Sequence, residues 1–226
     1  MDPNEGMGES HRPHVECPSD EPLVRWITRI IASMGGIVRI DPAGENLCRR
    51  ARAGECEAIY VIESQGLPNL LHELVHAIFL GRLEDDHGFD YGLIPLDLAH
   101  TDHRRHLWEE LACCAISAAY AERWQPPGFR MAWFVEQFEI QGVFHGLEDD
   151  LPGFRDRIDR ALARPAWREE FEGVLLSGFR EVRESLLAVG APADIAAPND
   201  VLNFESLWRE YRRLWSVSDP PDPVLA

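Results

Sequence analysis

The feature that most constrains this chain is the pentapeptide His72-Glu73-Leu74-Val75-His76. On a helix, residues four positions apart lie one above the other on the same face, so the two imidazoles can reach a single metal ion. Glu73 follows the first histidine directly and points beside the ion. A general base for a metal-bound water, or a proton-carrying group outside the ligand set, belongs at that place. The pattern therefore predicts one metal-dependent active site.

The flanking residues favour a helix at this position. Pro68 suits the first turn of a helix and Gly81 suits its end. One face of this helix is expected to be apolar, formed by Leu71, Val75, Ile78 and Phe79. A chance match to a short motif, or a pair of core histidines, is the alternative. The core alternative has to account for two histidines and a glutamate in one buried turn, so we favour the metal interpretation.

A metal ion needs a third protein ligand, and its identity separates the families that share this motif. The compact metzincin arrangement requires a glycine at position 79 and a histidine at position 82, but the chain has Phe79 and Arg82. The alternative is a glutamate from the next helix, predicted over 102–124. Glu109 and Glu110 precede a run of small residues there, which would let the two helices approach closely. We expect one of the pair to be the ligand, Glu109 slightly ahead, although the helix dipole alone also favours acids in a first turn.

An acidic loop offers a different third ligand. Residues 84–92 read Glu-Asp-Asp-His-Gly-Phe-Asp-Tyr-Gly. This segment resembles the aspartate-liganded zinc peptidases, in which an acidic turn ending in Tyr-Gly follows the histidines. Asp86 or Asp90 is the candidate ligand in that arrangement, and the sequence leaves this alternative open. Three further histidines alternate with arginine and aspartate and are expected at the surface: His100, His103 and His106.

The charge balance narrows the class of partner. The chain has 22 Lys and Arg against 39 Asp and Glu, a formal net charge of −17. Nucleic acid and anionic membranes are disfavoured because their phosphates would be repelled, whereas a cationic peptide or a lysine-bearing substrate is compatible. No apolar stretch approaches the roughly 20 residues of a membrane helix, and no secretory signal is visible. Five cysteines without framework spacing favour a reduced, cytoplasmic protein.

The periodicities predict an α+β fold that is mostly helical, with a small sheet and a zincin-like HExxH helix. Two β-branched runs, 36–40 and 58–62, are predicted strands separated by a Gly/Arg-rich loop. Helices are expected to begin near Pro22 and to recur at 102–124, 129–147, 152–163, 166–189 and 199–215. We expect residues 1–20 to be disordered, 21–215 to form a single catalytic domain, and 216–226 to be a disordered tail.

Beyond the motif, the chain resembles the elongation factor P hydroxylase family. In that family a strand leads into Leu-His-Glu-x-x-His, and a Gly-basic pair, an Asp-Phe-Gly-Tyr-like turn and Phe-Glu follow. The corresponding residues here are Leu71-His72-Glu73 with His76, Gly81-Arg82, Gly88-Phe89-Asp90-Tyr91, Trp108-Glu109, Gln141-Gly142-Val143, Leu151-Pro152, Ile158 and Ala161-Leu162. The resemblance covers about residues 59–162, with the turn permuted and Gly142 inserted. A more remote resemblance, to glutamate-liganded zinc metallopeptidases, covers little beyond the motif.

The first resemblance implies an iron-dependent hydroxylase, an oxidoreductase acting on a modified lysine of a protein such as elongation factor P. His72, His76 and Glu109 would bind Fe2+, with Glu73 as a proton carrier and Tyr91 as a gate or hydrogen-bond donor. The peptidase resemblance implies Zn2+ on the same ligands, Glu73 as general base, and Tyr91 or a loop histidine stabilising the oxyanion. A zinc-stabilised interaction module is disfavoured because no cysteine neighbours the motif. The hydroxylase is preferred by a small margin because its match is longer.

Overall fold

The computed structural model describes residues 22–44, 46–51, 53–80, 96–144, 146–147, 149–197 and 204–218. The predicted disordered segment 1–20, the acidic loop 84–92 and the last residues 219–226 lie outside these stretches. The described part is mostly helical with one small mixed sheet, which confirms the predicted fold class. None of its helices combines the length and the apolar character that crossing a membrane requires.

The helices follow the predicted segments closely. They are α1 Pro22–Ser33, α2 Leu67–Leu80, α3 Thr101–Ala121, α4 Phe129–Phe144, α5 Leu151–Leu162, α6 Pro165–Ala188, α7 Ala193–Ala196 and α8 Phe204–Ser218. A 3-10 turn, Glu122–Trp124, continues α3. The short α7 was not predicted. Helix α8 ends at Ser218 rather than at 215, so the segment predicted as a disordered tail begins inside a helix.

The sheet has three strands: β1 Gly36–Ile40, β2 Leu47–Arg50 and β3 Tyr60–Ser64. Their order is β1-β3-β2, with β1 parallel and β2 antiparallel to β3. Strand β1 has its predicted bounds, β3 begins two residues late, and β2 lies where a loop was predicted. Arg49 on β2 bonds to Glu63 on β3 at 2.8 Å and to Glu55 at 2.7 Å. Ion pairs between the strands therefore support β2, whose sequence lacks an apolar alternation.

Helix α2 lies at the centre of the protein and packs against α1, α3, α6, β2 and β3. Its apolar side chains are buried on nearly every side, including Leu70, Leu71, Leu74, Val75 and Ala77. The sequence had suggested one apolar face, but a helix that is surrounded by neighbours buries all of its faces. The motif is therefore held by the core of the protein and not by a surface loop.

Helix α3 lies beside α2 and is buried over most of its length. Its middle is a run of small buried residues, Ala112, Cys113, Cys114, Ala115, Ser117 and Ala118. Small side chains let two helix backbones approach closely, as the sequence predicted for this pair. The cysteines of this run are free thiols, as are Cys48 and Cys56.

Helix α6 completes the layer around α2 and α3 through a glycine contact. A Cβ atom on Gly178 would lie 2.5 Å from Cζ of Phe79 on α2 and 2.7 Å from Cδ1 of Ile116 on α3. Real Cβ atoms do not come that close, so the three helices meet here because position 178 has no side chain. The Gly178 contact therefore helps to fix α2 against α3.

We expect Gly178→Ala to destabilise the protein by about 1–3 kcal/mol, because the added methyl group forces the packed helices apart. Gly173→Ala is the matched control, since Gly173 lies on the same helix and a Cβ atom added there would have no neighbour within 4 Å. That control should stabilise by up to about 1 kcal/mol through helix propensity alone. Urea unfolding midpoints measure both changes. Equal effects of the two substitutions would contradict the packing assigned to Gly178.

Candidate metal centre

Two histidines of α2 and one glutamate of α3 converge at a single point inside the protein. The Nε2 atoms of His72 and His76 lie 2.9 Å apart. Nε2 of His76 is 3.0 Å from Oε1 of Glu110, and Nε2 of His72 is 3.5 Å from Oε2. All three side chains are buried, with residue exposures of 6% for His72, 4% for His76 and 3% for Glu110. In the described part of the chain, this is the group of histidine, cysteine and carboxylate side chains close enough to share an ion.

The separations of these atoms fit a divalent cation. Two ligand atoms bonded at about 2.1 Å to one ion lie about 3.0 Å apart at a right angle and about 3.4 Å apart at the tetrahedral angle. The distances of 2.9 and 3.0 Å to His76 match the right angle, and the 3.5 Å distance between His72 and Glu110 matches the tetrahedral one. Two imidazoles and one carboxylate on one side of an ion are the ligand set of non-haem iron oxygenases and of many zinc hydrolases.

Hydrogen bonds alone satisfy this group poorly. A hydrogen on Nε2 of His76 can point at Glu110 or at Nε2 of His72, but not at both in good geometry. Each imidazole can instead donate to its own oxygen of Glu110, but two N–H groups then lie side by side with their nitrogens only 2.9 Å apart. A cation placed among the three groups would engage their lone pairs together. The donor set therefore fits an ion better than it fits a set of shared protons.

Electrostatics hold Glu110 in its charged form. Burial by itself would raise the pKa of this carboxyl, but the two imidazoles outweigh that effect and the pKa lies well below its usual range. For the basic His76, burial by itself would lower the pKa. The Glu110 carboxylate outweighs burial, so the pKa of His76 is raised. A permanently charged carboxylate beside two nitrogen donors is what a divalent cation requires.

Glu73 lies beside the ligand group and is not one of its members. The side chain is buried, and burial raises its pKa above the usual value, although the charges of His76 and His72 oppose the change. Cys48 on the edge strand β2 lies close enough for its thiol to experience the Glu73 charge. A carboxyl group next to a metal ligand, with its pKa raised above the usual value, is suited to accepting and releasing a proton.

Two residues that the sequence analysis did not assign to the site contact its ligands. Nε2 of Gln141 on α4 donates to Oε2 of Glu110 at 2.9 Å, and Gln141 is buried. Sγ of Cys113 lies 3.5 Å from Nδ1 of His76. Such outer contacts orient metal ligands. Nδ1 of His72 is buried without a hydrogen-bond partner among the residues that the structure describes, so no comparable contact orients it there.

The structure brings Glu110, and not Glu109, to the two histidines. Glu109 is buried, but its Oε1 accepts from Nε of Arg105 at 3.0 Å, one turn earlier on α3. Adjacent helical residues point about 100° apart, so only one of the pair can face the histidines. Trp108 was expected to pack inward if Glu109 were the ligand. It is buried here with Glu110 facing the histidines, because nearly every side of α3 is covered.

The other candidate residues from the sequence either fall outside the described residues or are not part of the His72, His76 and Glu110 group. Tyr91 and the loop aspartates Asp86 and Asp90 fall outside the described residues. His100 is exposed, as expected, and its ring stacks on that of His103 with centroids 4.2 Å apart. His103 and His106 are half-buried, so these two lie only partly at the surface. Arg104 is buried between them because it bonds to Glu170 of α6, which draws this end of α3 into the core.

Comparisons with protein-family models, with curated proteins and with solved structures found no match to this chain. The resemblance to the elongation factor P hydroxylases therefore stays a prediction from the sequence motifs. Function is inferred below from the convergence of His72, His76 and Glu110 and from the chemistry of their neighbours.

We expect Glu110→Gln to weaken the binding of Fe2+ or Zn2+ by more than about 100-fold, because loss of an outer contact alone costs about 10–100-fold. Glu109→Gln is the matched control: it removes the same charge one residue away, but from a carboxylate paired with Arg105. Its effect should stay below about tenfold, the equivalent of about 1.4 kcal/mol. Metal titration of each purified variant measures the affinities. A larger loss in Glu109→Gln than in Glu110→Gln would reverse the ligand assignment.

Gln141→Leu should weaken metal binding by about 10–100-fold while leaving all three ligands in place. The reason is that the Gln141 amide fixes one Glu110 oxygen. The same titration measures this effect, and thermal unfolding of the metal-free variant separates it from a loss of stability. Unchanged affinity in a stably folded variant would show that Glu110 needs no such support.

Proposed function

We propose that this protein is an iron-dependent hydroxylase that acts on a lysine side chain of a protein substrate. The observation that carries the proposal is the meeting of two imidazole nitrogens and one carboxylate with near-right-angle separations of 2.9 and 3.0 Å about His76. Three ligands on one face of an octahedral ion leave the opposite face open for dioxygen and substrate. His72, His76 and Glu110 would hold the ion. The resemblance to the elongation factor P hydroxylases, which covers more of the chain than the resemblance to the peptidases, also supports this proposal.

When bound, ferrous iron would supply the activation of dioxygen, and the chain's own residues would supply placement and proton transfer. The Glu110 carboxylate compensates the charge of the cation, and Gln141 orients it through the 2.9 Å hydrogen bond. Cys113 contacts Nδ1 of His76, and with the imidazole hydrogen on that nitrogen the lone pair of Nε2 would face the ion. Glu73, whose pKa burial raises, would carry a proton to or from the reacting side chain.

The charge of the chain supports a cationic protein substrate. A net charge of −17 attracts a lysine-bearing partner over a distance and repels nucleic acid and anionic membranes. A modified lysine of elongation factor P is the substrate that the family resemblance implies. We propose it as the first substrate to test, with Tyr91 as a residue that contacts the substrate.

A zinc metallopeptidase is the second candidate, and two observations favour it. Glu73 occupies the place of a general base and has a raised pKa, as a water-activating carboxylate needs. The 3.5 Å separation of His72 and Glu110 also suits a tetrahedral ion. In this alternative the same three ligands would hold Zn2+, which would supply a water of lowered pKa, and Glu73 would serve as the general base.

The deciding experiment begins with protein purified without oxygen, in which the bound metal is identified by elemental analysis. The iron-loaded protein is then mixed with elongation factor P under oxygen together with a two-electron reductant, which reduces the second oxygen atom to water, and oxygen uptake and substrate mass are followed. A hydroxylase should add one oxygen atom to a substrate lysine, dependent on both iron and dioxygen. Cleavage of denatured casein by the zinc-loaded protein, without oxygen uptake, would favour the peptidase instead.

Glu73→Gln separates the two chemistries further. In a peptidase it should lower kcat by at least about 100-fold with the metal still bound, because general-base catalysis is lost. In a hydroxylase it should lower the rate of oxygen uptake by less than about tenfold and reduce the product formed per oxygen consumed. Glu136→Gln is the control, since Glu136 is an exposed acid on α4. Casein cleavage abolished by Glu73→Gln, but not by Glu136→Gln, would contradict the hydroxylase proposal.

A further inference from the structure

Helices α5 and α8 line an open cavity of about 470 Å³ that shares no residue with the metal centre. Its size lies within the range of small-molecule sites. The cavity is lined by Pro152, Arg155, Asp156 and Asp159 from α5 and by Arg209, Arg212, Arg213 and Trp215 from α8. Four arginines and two aspartates thus surround one space, in a chain whose net charge is −17. This concentration of positive charge runs against the overall charge of the protein.

Both aspartates of the cavity are engaged by other groups. Asp159 accepts a hydrogen bond from Nε1 of Trp208 at 2.9 Å and also pairs with Arg212 at 3.3 Å. Asp156 pairs with Arg160, which lies outside the cavity lining. The acidic side chains therefore neutralise only part of the charge that the cavity arginines bring.

Two guanidinium groups keep capacity for a ligand. Arg213 is exposed and forms no ion pair with any residue in the described stretches. Arg209 lies 3.8 Å from Glu205, and that carboxylate is also bound by Arg168 from α6. An exposed pair at such a distance contributes little, so Arg209 can exchange it for a stronger anion. The two arginines lie four positions apart on α8 and so face the same side.

Packed aromatic side chains form one wall of the cavity. The ring of Trp215 packs edge-on against Tyr211 and Trp208, with centroid distances of 4.9 and 5.6 Å. Arg155 lies over the Trp215 ring at 5.9 Å and is bound to Glu139 of α4, which fixes its position. The Trp215 indole Nε1 is buried and forms no well-aligned hydrogen bond to a described residue. The wall is therefore held in place by its neighbours.

We propose that this cavity binds a phosphate-bearing small molecule, an anion with at least two negative charges. Guanidinium groups match phosphate oxygens with paired, charge-assisted hydrogen bonds, and Arg209 and Arg213 present two such groups on one helix face. Arg155 and Arg212 are already paired with Glu139 and Asp159, so Arg213 and the weakly paired Arg209 are the groups that favour an anion over a neutral ligand or a cation. The indole ring beside the arginines offers an apolar surface to the rest of the molecule. The site is separate from the metal centre and does not depend on the function proposed for it.

Inorganic pyrophosphate is the probe, and its binding to the full chain is measured by calorimetry at low salt. We expect saturable binding at one site, weakened by added sodium chloride because the attraction is electrostatic. Arg213→Gln should raise the Kd at least tenfold, and Arg209→Gln combined with Arg213→Gln should abolish detectable binding. The tryptophan fluorescence of the wild-type protein should change along the same titration curve, since Trp215 lines the cavity.

Arg157→Gln is the matched control. Arg157 is an exposed arginine on α5 that does not line the cavity, so its substitution removes the same charge nearby. It should leave the Kd within about twofold, because an exposed charge at a distance is screened. Thermal unfolding of each variant verifies that it is folded. No saturable binding to the wild-type chain, or an equal loss in Arg157→Gln and Arg213→Gln, would overturn the proposal.

Discussion

A carboxylate and two imidazoles meet inside this protein, and the buried contact of Glu110 with His72 and His76 constrains the elements around it. Three polar groups with exposures of 3–6% have lost most of their hydration. Burial of a charged group is costly unless a partner of opposite charge compensates it. The ligand atoms lie too close together for protons alone to serve all of them well. A divalent cation would supply the missing charge, and the proposed metal-dependent function rests on this requirement.

The surrounding fold can be understood as the means of holding that contact. Helix α2 is covered on nearly all sides, so its two histidines cannot turn to solvent. The small residues of α3 bring the Glu110 backbone close to α2, and Gly178 of α6 admits Phe79 and Ile116 at the same junction. Helix α4 contributes Gln141, whose amide bonds to Glu110. Each of these elements limits the freedom of a ligand before any ion is bound, which reduces the entropic cost of binding.

The part of this arrangement that depends on helix periodicity could be predicted from the sequence. The spacing of His72 and His76 placed both imidazoles on one face of α2, and the small residues of α3 indicated a close helix pair. The choice between Glu109 and Glu110 depended on the rotation of α3 about its own axis. The hydrophobic pattern of the sequence does not show this rotation, because α3 is buried on nearly all sides. Gln141 lies 31 positions after Glu110, and only the packing of α4 brings them together. Strand β2 was missed because ion pairs, not apolar alternation, support it.

The metal-dependent function requires that one divalent ion sits among the two histidines and Glu110. Anomalous diffraction from crystals grown with ferrous iron in the absence of oxygen tests this most directly. We expect a single strong peak about 2.0–2.3 Å from Nε2 of both His72 and His76 and in contact with a Glu110 oxygen. A peak elsewhere in the protein would contradict the assignment. A map that shows no iron peak, with the two Nε2 atoms still within hydrogen-bonding distance of each other, would also contradict it.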